Sequence, residues 1–287
     1  MKSEFDKVII CYGDSITQGM RMEKGNSYPE VLEQNLQGQF KVLNAGVGGE
    51  TSFTICSRAN AVPFTVTEKI VFEKGETEYF SSYKIFSGMN KEEIKYRYGW
   101  MGHDLPITNV IIDGKNYKMR FDCQNDEEKD FYVLIRENST EKQVIDVGAK
   151  VNFDYSKVYN HCYCSIVLAG ANDILPIETI VERYKKIETL NERFIALIPH
   201  YRDDDSRLFY DAFGERCVNL REFCKEKVWK EYNLKISDID IQEINKGFLP
   251  SRFTLTSNPK DCHLNELGYK ILGDLVYKKG QELKYWK

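Results

Sequence analysis

A serine that could act as a nucleophile lies at residue 15, directly after an apolar run at 8–12. The sequence Gly13-Asp14-Ser15 follows this run, which predicts a strand that ends in a tight turn at the start of a helix. A hydroxyl there lies at the carboxyl edge of a sheet, beside backbone N–H groups and the positive end of a helix dipole. Taken alone, the tripeptide indicates an ordinary turn and helix N-cap more often than a nucleophile, since Asp and Ser are favoured in both roles.

Three other segments follow predicted strands and carry groups that acyl transfer requires. They are the glycine-rich segment 44–51, the segment Gly170-Ala171-Asn172-Asp173, and the segment Asp261-Cys262-His263 before the last predicted helix. A serine hydroxyl needs a base to remove its proton, and a histidine oriented by a carboxylate is suited to that role. The oxyanion needs donors already in place, each worth about 3–4 kcal/mol of barrier. Asp173 is predicted to be a helix N-cap rather than a catalytic acid.

In this order and at these separations, the four segments resemble those of the SGNH (GDSL-type) hydrolase family, over residues 5–60 and 160–287. The resemblance implies that Ser15 is the nucleophile and His263 the general base. It also implies an oxyanion hole formed by the Ser15 N–H, the Gly49 N–H and the Asn172 amide. The implied fold is a three-layer α/β/α sandwich with a flavodoxin-like parallel sheet, and the implied chemistry needs no metal and no cofactor.

The position of the acidic residue departs from the family pattern. The family usually places its Asp three residues before the His, and here that position is Lys260, while Asp261 lies two residues before His263. Residues two apart in an extended segment point to the same side, so Asp261 could reach Nδ1 of the imidazole. A shifted turn, or a dyad in which a backbone carbonyl orients His263, would serve instead.

The pattern of predicted elements divides the chain into two domains. Residues 1–60 and 156–287 carry alternating strand and helix patterns, which predict a discontinuous α/β domain. Residues 61–155 carry strand-like runs without helical periodicity, which predict an inserted β-rich subdomain. Within it, Asp113-Gly114 between two such runs predicts a β-hairpin. The insertion leaves and re-enters the α/β domain near the predicted site, so it could form a wall or lid of the pocket.

The composition of the chain argues against some classes of binding partner and indicates a cellular compartment. Lys and Arg total 40 against 44 Asp and Glu, and the chain has no basic stripe, which argues against nucleic-acid or anionic-membrane partners. Residues 1–7 do not resemble a signal peptide, and no run approaches the ~20 apolar residues of a membrane span. Scattered cysteines within apolar runs favour a reducing compartment, so a cytoplasmic protein is expected. His161, Cys162 and Cys164 lack a second ligand pair at finger-like spacing, so no metal site is predicted there.

These observations favour a serine esterase that removes short acyl groups, acetyl above all, from a carbohydrate or similar small polar substrate. A lysophospholipase or thioesterase with the same site is an alternative, as is a non-catalytic carbohydrate-binding protein. The insertion contains an aromatic series that suits either sugar stacking or, more often, the core of a small β-unit: Tyr79, Phe80, Tyr83, Phe86, Tyr96, Tyr98 and Trp100. The sequence does not indicate an oligomeric state.

Overall fold

The structure, a computed structural model, describes residues 7–62, 64–82, 108–122, 131–137, 139–153, 162–202 and 206–287. Within these ranges the strands, in chain order, are β1 (Val8–Gly13), β2 (Lys41–Gly46), β3 (Phe64–Thr65), β4 (Ile70–Phe72), β5 (Glu78–Ser82), β6 (Thr108–Ile112), β7 (Lys115–Asp122), β8 (Phe131–Ile135), β9 (Gln143–Ile145), β10 (Lys150–Phe153), β11 (Cys164–Leu168), β12 (Phe194–Leu197) and β13 (Cys217–Val218). The α-helices are α1 (Ser15–Gln18), α2 (Tyr28–Asn35), α3 (Ser52–Arg58), α4 (Ile177–Glu188), α5 (Arg207–Phe213), α6 (Leu220–Glu226), α7 (Val228–Glu231), α8 (Asp238–Asn245) and α9 (Glu266–Glu282).

The chain divides into two compact units. The first contains residues 1–48 and 161–287, and the second contains residues 49–160. The sequence-based domain boundaries lay at 60/61 and 155/156, so they assigned α3 to the first unit. In the structure α3 contacts β10, which is a strand of the second unit.

A five-stranded parallel sheet organises the first unit. The order of its strands is β13-β12-β11-β1-β2, and every pair is parallel. Numbered by their own succession along the chain, these strands run 5-4-3-1-2, which is the flavodoxin-like order. Gly13, the last residue of β1, pairs with Leu168 of β11 and Gly46 of β2. The carboxyl ends of these three strands therefore lie side by side.

Helices cover both faces of this sheet, because successive strand residues point to opposite sides. On one face, Ile9 and Cys11 join a core with residues of α2, α6 and α9. On the other face, Phe194 of β12 packs against Phe213 of α5, with ring centroids 5.3 Å apart. The hydroxyl of Tyr184, in α4, accepts a hydrogen bond from the N–H of Ala169, directly after β11, and donates one to the carbonyl of Leu197 in β12. The predicted three-layer α/β/α sandwich with a flavodoxin-like sheet is therefore confirmed.

In the second unit, the pairs of strands that the structure describes are all antiparallel. Its larger sheet has the order β3-β10-β6-β7-β8-β5, and β4 pairs with β9 in a separate two-stranded sheet. Asp113 and Gly114 connect β6 to β7 with φ of 48° and 76°, as a two-residue hairpin turn requires, so the predicted hairpin is confirmed. This unit has a hydrophobic core of its own. Tyr79 packs against this core, whereas the side chain of Phe80 is exposed to solvent. The other five aromatic residues named above lie outside the described residues.

None of the helices in the described ranges is both long enough and apolar enough to cross a lipid bilayer.

Candidate active site

The turn between β1 and α1 presents Ser15. Asp14 is the N-cap of α1, and its fully buried carboxylate accepts the Ile16 N–H at 3.0 Å and the Ala171 N–H at 3.4 Å. Gly13 has no space for a side chain, because a Cβ there would lie 2.5 Å from the Leu168 carbonyl oxygen. Ser15 is the first residue of α1, where backbone N–H groups have no acceptor within the helix. The strand thus ends in a tight turn with a serine at the helix start.

His263 lies against the Ser15 hydroxyl. Its Nε2 is 2.9 Å from Ser15 Oγ, across 248 positions of sequence. The backbone of His263 is fixed by the Leu255 N–H, which donates to its carbonyl, and by an isolated bridge between Thr254 and Leu264. The helix α9 begins at Glu266 with Asn265 as its N-cap. The histidine therefore occupies a braced segment directly before the last helix.

Asp261 lies at the other nitrogen of the same imidazole. Its Oδ1 is 3.4 Å from His263 Nδ1 and accepts the His263 backbone N–H at 2.9 Å, while Oδ2 accepts the Thr256 N–H and hydroxyl at 3.1 and 2.7 Å. Partial burial acts to raise the pKa of Asp261, but these hydrogen bonds and the nearby imidazole outweigh it and lower the pKa. Lys260, at the position where the family pattern has its Asp, is exposed.

The Cys262 thiol is a second neighbour of Nδ1. Its Sγ lies 3.5 Å from that nitrogen, so an Nδ1–H group would have a carboxylate and a sulfur within reach. Burial, and then the carboxylates of Asp14 and Asp261, raise the pKa of Cys262 to about 12, so this group is a thiol at neutral pH. Asp261, Cys262 and His263 place one carboxylate oxygen, one sulfur and one nitrogen within 4.8 Å of one another. These are the residues here that could hold a metal ion.

A buried histidine that the sequence analysis did not identify supports this segment. The His200 Nε2 lies 3.0 Å from the Cys262 carbonyl oxygen. Burial, together with the positive charge of Arg221, lowers the pKa of His200 to about 4, so the ring is neutral at pH 7 and donates an N–H to that carbonyl. His200 follows β12 by three residues, and this position after a buried strand is the one signal in the sequence that could have identified it.

The candidate oxyanion donors lie at neighbouring strand ends. Asn172 follows the end of β11 by four residues, and the bond from the Ala171 N–H to Asp14 fastens its loop to the residue before Ser15. The Gly48 backbone passes close to the serine, since a Cβ on Gly48 would lie 3.8 Å from Ser15 Cβ. The Gly48 N–H donates to Gln18 Oε1 at 2.9 Å. Gly49, with φ of 81°, follows it as the first residue of the second unit.

Two other polar segments were considered in the sequence, and the structure contradicts the prediction for one of them. Asp173 was predicted to be the N-cap of the following helix, and this prediction is wrong, because Pro176 holds that position. The Asp173 carboxylate instead pairs with Arg183 at 3.1 Å. Cys162 and Cys164 are both buried, and His161 lies outside the described residues.

Three solved structures resemble the chain distantly. No family model matches it, and no curated protein matches it. Among solved structures it is similar to a protein of the G-D-S-L family from Desulfitobacterium hafniense, described as lipolytic, with TM-score 0.40, 14% identity, and coverage of 95% of this chain and 99% of that one. It is also similar to a lipase/acylhydrolase from Enterococcus faecalis, with TM-score 0.39, 14% identity, and coverage of 96% of both chains. A lipolytic G-D-S-L protein from Veillonella parvula gives TM-score 0.36, 14% identity, and coverage of 96% and 97%. Similarities this low carry no argument about activity.

Proposed function

We propose that this protein is a serine esterase that hydrolyses short-chain acyl esters, acetyl above all, on a carbohydrate or another small polar substrate. The observation that carries the proposal is the contact of 2.9 Å between Ser15 Oγ and His263 Nε2, with the Asp261 carboxylate at Nδ1. A hydroxyl in contact with an imidazole, which in turn contacts a carboxylate, forms a nucleophilic triad.

The reaction proceeds through an acyl-enzyme. His263 Nε2 accepts the proton of Ser15 Oγ while that oxygen attacks the ester carbonyl. The Asp261 carboxylate, kept ionised by its hydrogen bonds, stabilises the imidazolium and holds its ring in place. The imidazolium then protonates the leaving alcohol, and the neutral ring later activates the water that releases the acid.

Backbone and amide N–H groups stabilise the oxyanion in this scheme. The donors that the family resemblance assigns are the N–H groups of Ser15 and Gly49 and the amide of Asn172. Two contacts support this assignment within the first unit: the loop of Asn172 is bonded to Asp14, and the Gly48 backbone passes beside Ser15. Each such donor would lower the barrier by about 3–4 kcal/mol.

Hydrolysis of p-nitrophenyl acetate, butyrate and decanoate by wild type and variants tests the proposal. We expect acetate to be the best substrate, and Ser15→Ala to lower kcat by about 10⁴-fold or more, because this variant lacks the hydroxyl that forms the acyl-enzyme. Asp261→Asn should lower kcat by up to about 10⁴-fold, because an amide stabilises the wrong tautomer. Ser257→Ala, which changes an exposed serine on the loop before His263, is the matched control and should retain wild-type kcat.

Covalent labelling separates the mechanism from the substrate assignment. A fluorophosphonate should add to Ser15, located by mass spectrometry, in wild type and Ser257→Ala but not in Ser15→Ala. Undiminished hydrolysis by Ser15→Ala would refute the serine mechanism. A preference for decanoate would leave the mechanism in place and favour a lysophospholipase or thioesterase. Absence of both hydrolysis and labelling would favour the non-catalytic alternative.

A further inference from the structure

Three side-chain atoms that can bind a metal ion lie together: Nδ1 of His263, a carboxylate oxygen of Asp261 and the sulfur of Cys262. Asp261 serves the triad, whereas the Cys262 thiol has no role in acyl transfer. Of the free cysteines in the described ranges, Cys262 is partly exposed and the others are buried. The imidazole and the carboxylate of this group are also partly exposed, at 22% and 12% of their side-chain area, so an ion can reach them from solvent.

Two of the three distances among these atoms match a tetrahedral zinc ion. The third, between the Cys262 sulfur and a carboxylate oxygen of Asp261, is within 4.8 Å and would be about 3.6 Å once the ion is bound. Zinc binds a thiolate sulfur at about 2.3 Å, an imidazole nitrogen at about 2.0–2.1 Å and a carboxylate oxygen at about 2.0–2.2 Å. At tetrahedral angles these lengths place nitrogen and sulfur about 3.6 Å apart, and nitrogen and oxygen about 3.4 Å apart. In the structure the corresponding distances from His263 Nδ1 are 3.5 Å to Cys262 Sγ and 3.4 Å to Asp261 Oδ1.

We propose that Asp261 Oδ1, Cys262 Sγ and His263 Nδ1 form an inhibitory Zn²⁺ site, with water as the fourth ligand. The coordination itself stands on the geometry alone, whereas its inhibitory effect rests on the proposed function. Asp261 is suited to serve either Nδ1–H or a metal, because its other oxygen is held by the Thr256 N–H and hydroxyl in both cases.

Zinc at Nδ1 would stop the reaction by moving a proton. A neutral imidazole carries one N–H, and in the active form this is at Nδ1, which leaves the Nε2 lone pair for the Ser15 hydroxyl. When zinc occupies Nδ1, that proton moves to Nε2, and the thiol proton of Cys262 is released to solvent as the sulfur becomes a thiolate ligand. The Nε2–H then cannot accept the proton of Ser15, so the nucleophile is not activated.

Metal binding is measured first, without substrate. Titration calorimetry with ZnCl₂ should give one tight site per chain, and Co²⁺ should give a thiolate-to-cobalt charge-transfer band. Cys262→Ala should abolish the cobalt band and raise the Zn²⁺ Kd at least about 10-fold. Loss of a residue that only hydrogen-bonds to a ligand already weakens metal binding by about that factor, so loss of a ligand should weaken it at least as much. Cys217→Ala, which removes a buried thiol elsewhere in the first unit, is the matched control and should leave both unchanged.

Inhibition is measured second, as each variant's hydrolysis with zinc relative to its own zinc-free rate. We expect zinc to inhibit wild type and Cys217→Ala reversibly, with recovery on EDTA, and to inhibit Cys262→Ala only at concentrations at least 10-fold higher. Cys262→Ser replaces the alanine variant if the latter does not fold. Binding that is absent, or that does not depend on Cys262, overturns the site. Binding at Cys262 without inhibition of an active esterase overturns the inhibitory role. Binding at Cys262 in a protein without esterase activity supports the site while refuting the proposed function.

Discussion

Asp261 reaches the histidine from a sequence spacing one residue shorter than the family pattern, because the chain itself bends around the carboxylate. Its Oδ1 accepts the backbone N–H of His263, two residues on, and Thr256 holds Oδ2 with two further hydrogen bonds. A side chain bonded to the backbone two residues ahead is a local turn that Asp readily forms. The sequence left three arrangements open here, since the spacing alone does not determine which acceptor meets Nδ1.

The position of His200 after β12 could draw attention to it, but its role could not be derived from its neighbours in sequence, because its hydrogen-bond partner, the Cys262 carbonyl, is 62 positions away. Its burial nevertheless has a measurable effect on stability. The pKa of His200 is about 4 when folded, and its ordinary value is 6.5. Between these two pH values the unfolded chain binds a proton that the folded chain does not, so this contribution is fully present above pH 6.5 and is lost as the pH falls toward 4.

We therefore expect His200→Gln, which keeps an amide donor for the Cys262 carbonyl, to reduce the loss of stability on acidification. In wild type the group should account for a decrease of about 3 kcal/mol in the free energy of unfolding between pH 6.5 and 4. Urea unfolding of both proteins at pH 7.5, 5.5 and 4.5 gives the comparison. An equally steep decrease in the glutamine variant would show that His200 does not cause it.

At the scale of the elements, the contact between α2 and α9 supports the segment that carries the histidine. The helix α9 begins three residues after His263 and packs on α2 at Gly273. A Cβ on Gly273 would lie 2.6 Å from two carbons of Val31 and 3.0 Å from the Tyr28 carbonyl oxygen. Asp274 adds polar contacts beside this point, since it accepts hydrogen bonds from Asn35 and Tyr232.

Gly273→Ala should lower the free energy of unfolding by about 1–3 kcal/mol, because the added methyl group separates two packed helices. This holds although alanine alone favours a helix by up to about 1 kcal/mol over glycine. Val31→Ala should relieve part of the collision, so the double variant should be less destabilised than the sum of the two single ones. Equilibrium unfolding of all four proteins gives the coupling energy, and strict additivity would argue against the collision.

Periodicity predicted the main elements of the first unit but not all of them. The buried runs that become β1, β11 and β12 and the amphipathic pattern that becomes α4 were readable, because each buries a whole strand or one helix face. The helix α8 was not predicted. Its Asp238-Ile239-Asp240-Ile241 alternates polar and apolar residues, as a strand does, and both isoleucines are exposed. The capping box of Ser237 and Asp240 was the available helix signal.

At the scale of the whole molecule, the two units have separate hydrophobic cores. In the second unit, Arg136 holds loops together. This buried side chain donates to the carbonyls of Glu73, Glu76 and Glu141, and its guanidinium lies 4.9 Å from the centre of the Phe72 ring. One side chain thus bonds the loop between β4 and β5 and the loop between β8 and β9. The β-rich character of this unit and the hairpin of β6 and β7 were predicted, but the strand β5 and its pairing with β8 were not. That pairing joins segments about 50 residues apart, and its register depends on contacts that no local pattern encodes.

Arg136→Met should remove three hydrogen bonds and leave the three carbonyls without that donor, at a cost of about 1–3 kcal/mol for each group left unsatisfied in the interior. Because all these contacts lie in the second unit, hydrogen exchange should accelerate in peptides from 64–82, 108–122 and 131–153. Peptides from 162–202 and 206–287 should exchange at wild-type rates. Equal acceleration in both units would mean that the two cores unfold together.

The contact between Ser15 and His263 spans 248 positions, and this distance has a consequence for biosynthesis. During translation Ser15 leaves the ribosome before His263, and the helix α9, which follows His263, must then dock on α2. Under the proposed function, a polypeptide that ends before His263 therefore carries Ser15 without the base that activates it. The proposed esterase activity would therefore arise only after both His263 and α9 have been synthesised and α9 has docked on α2.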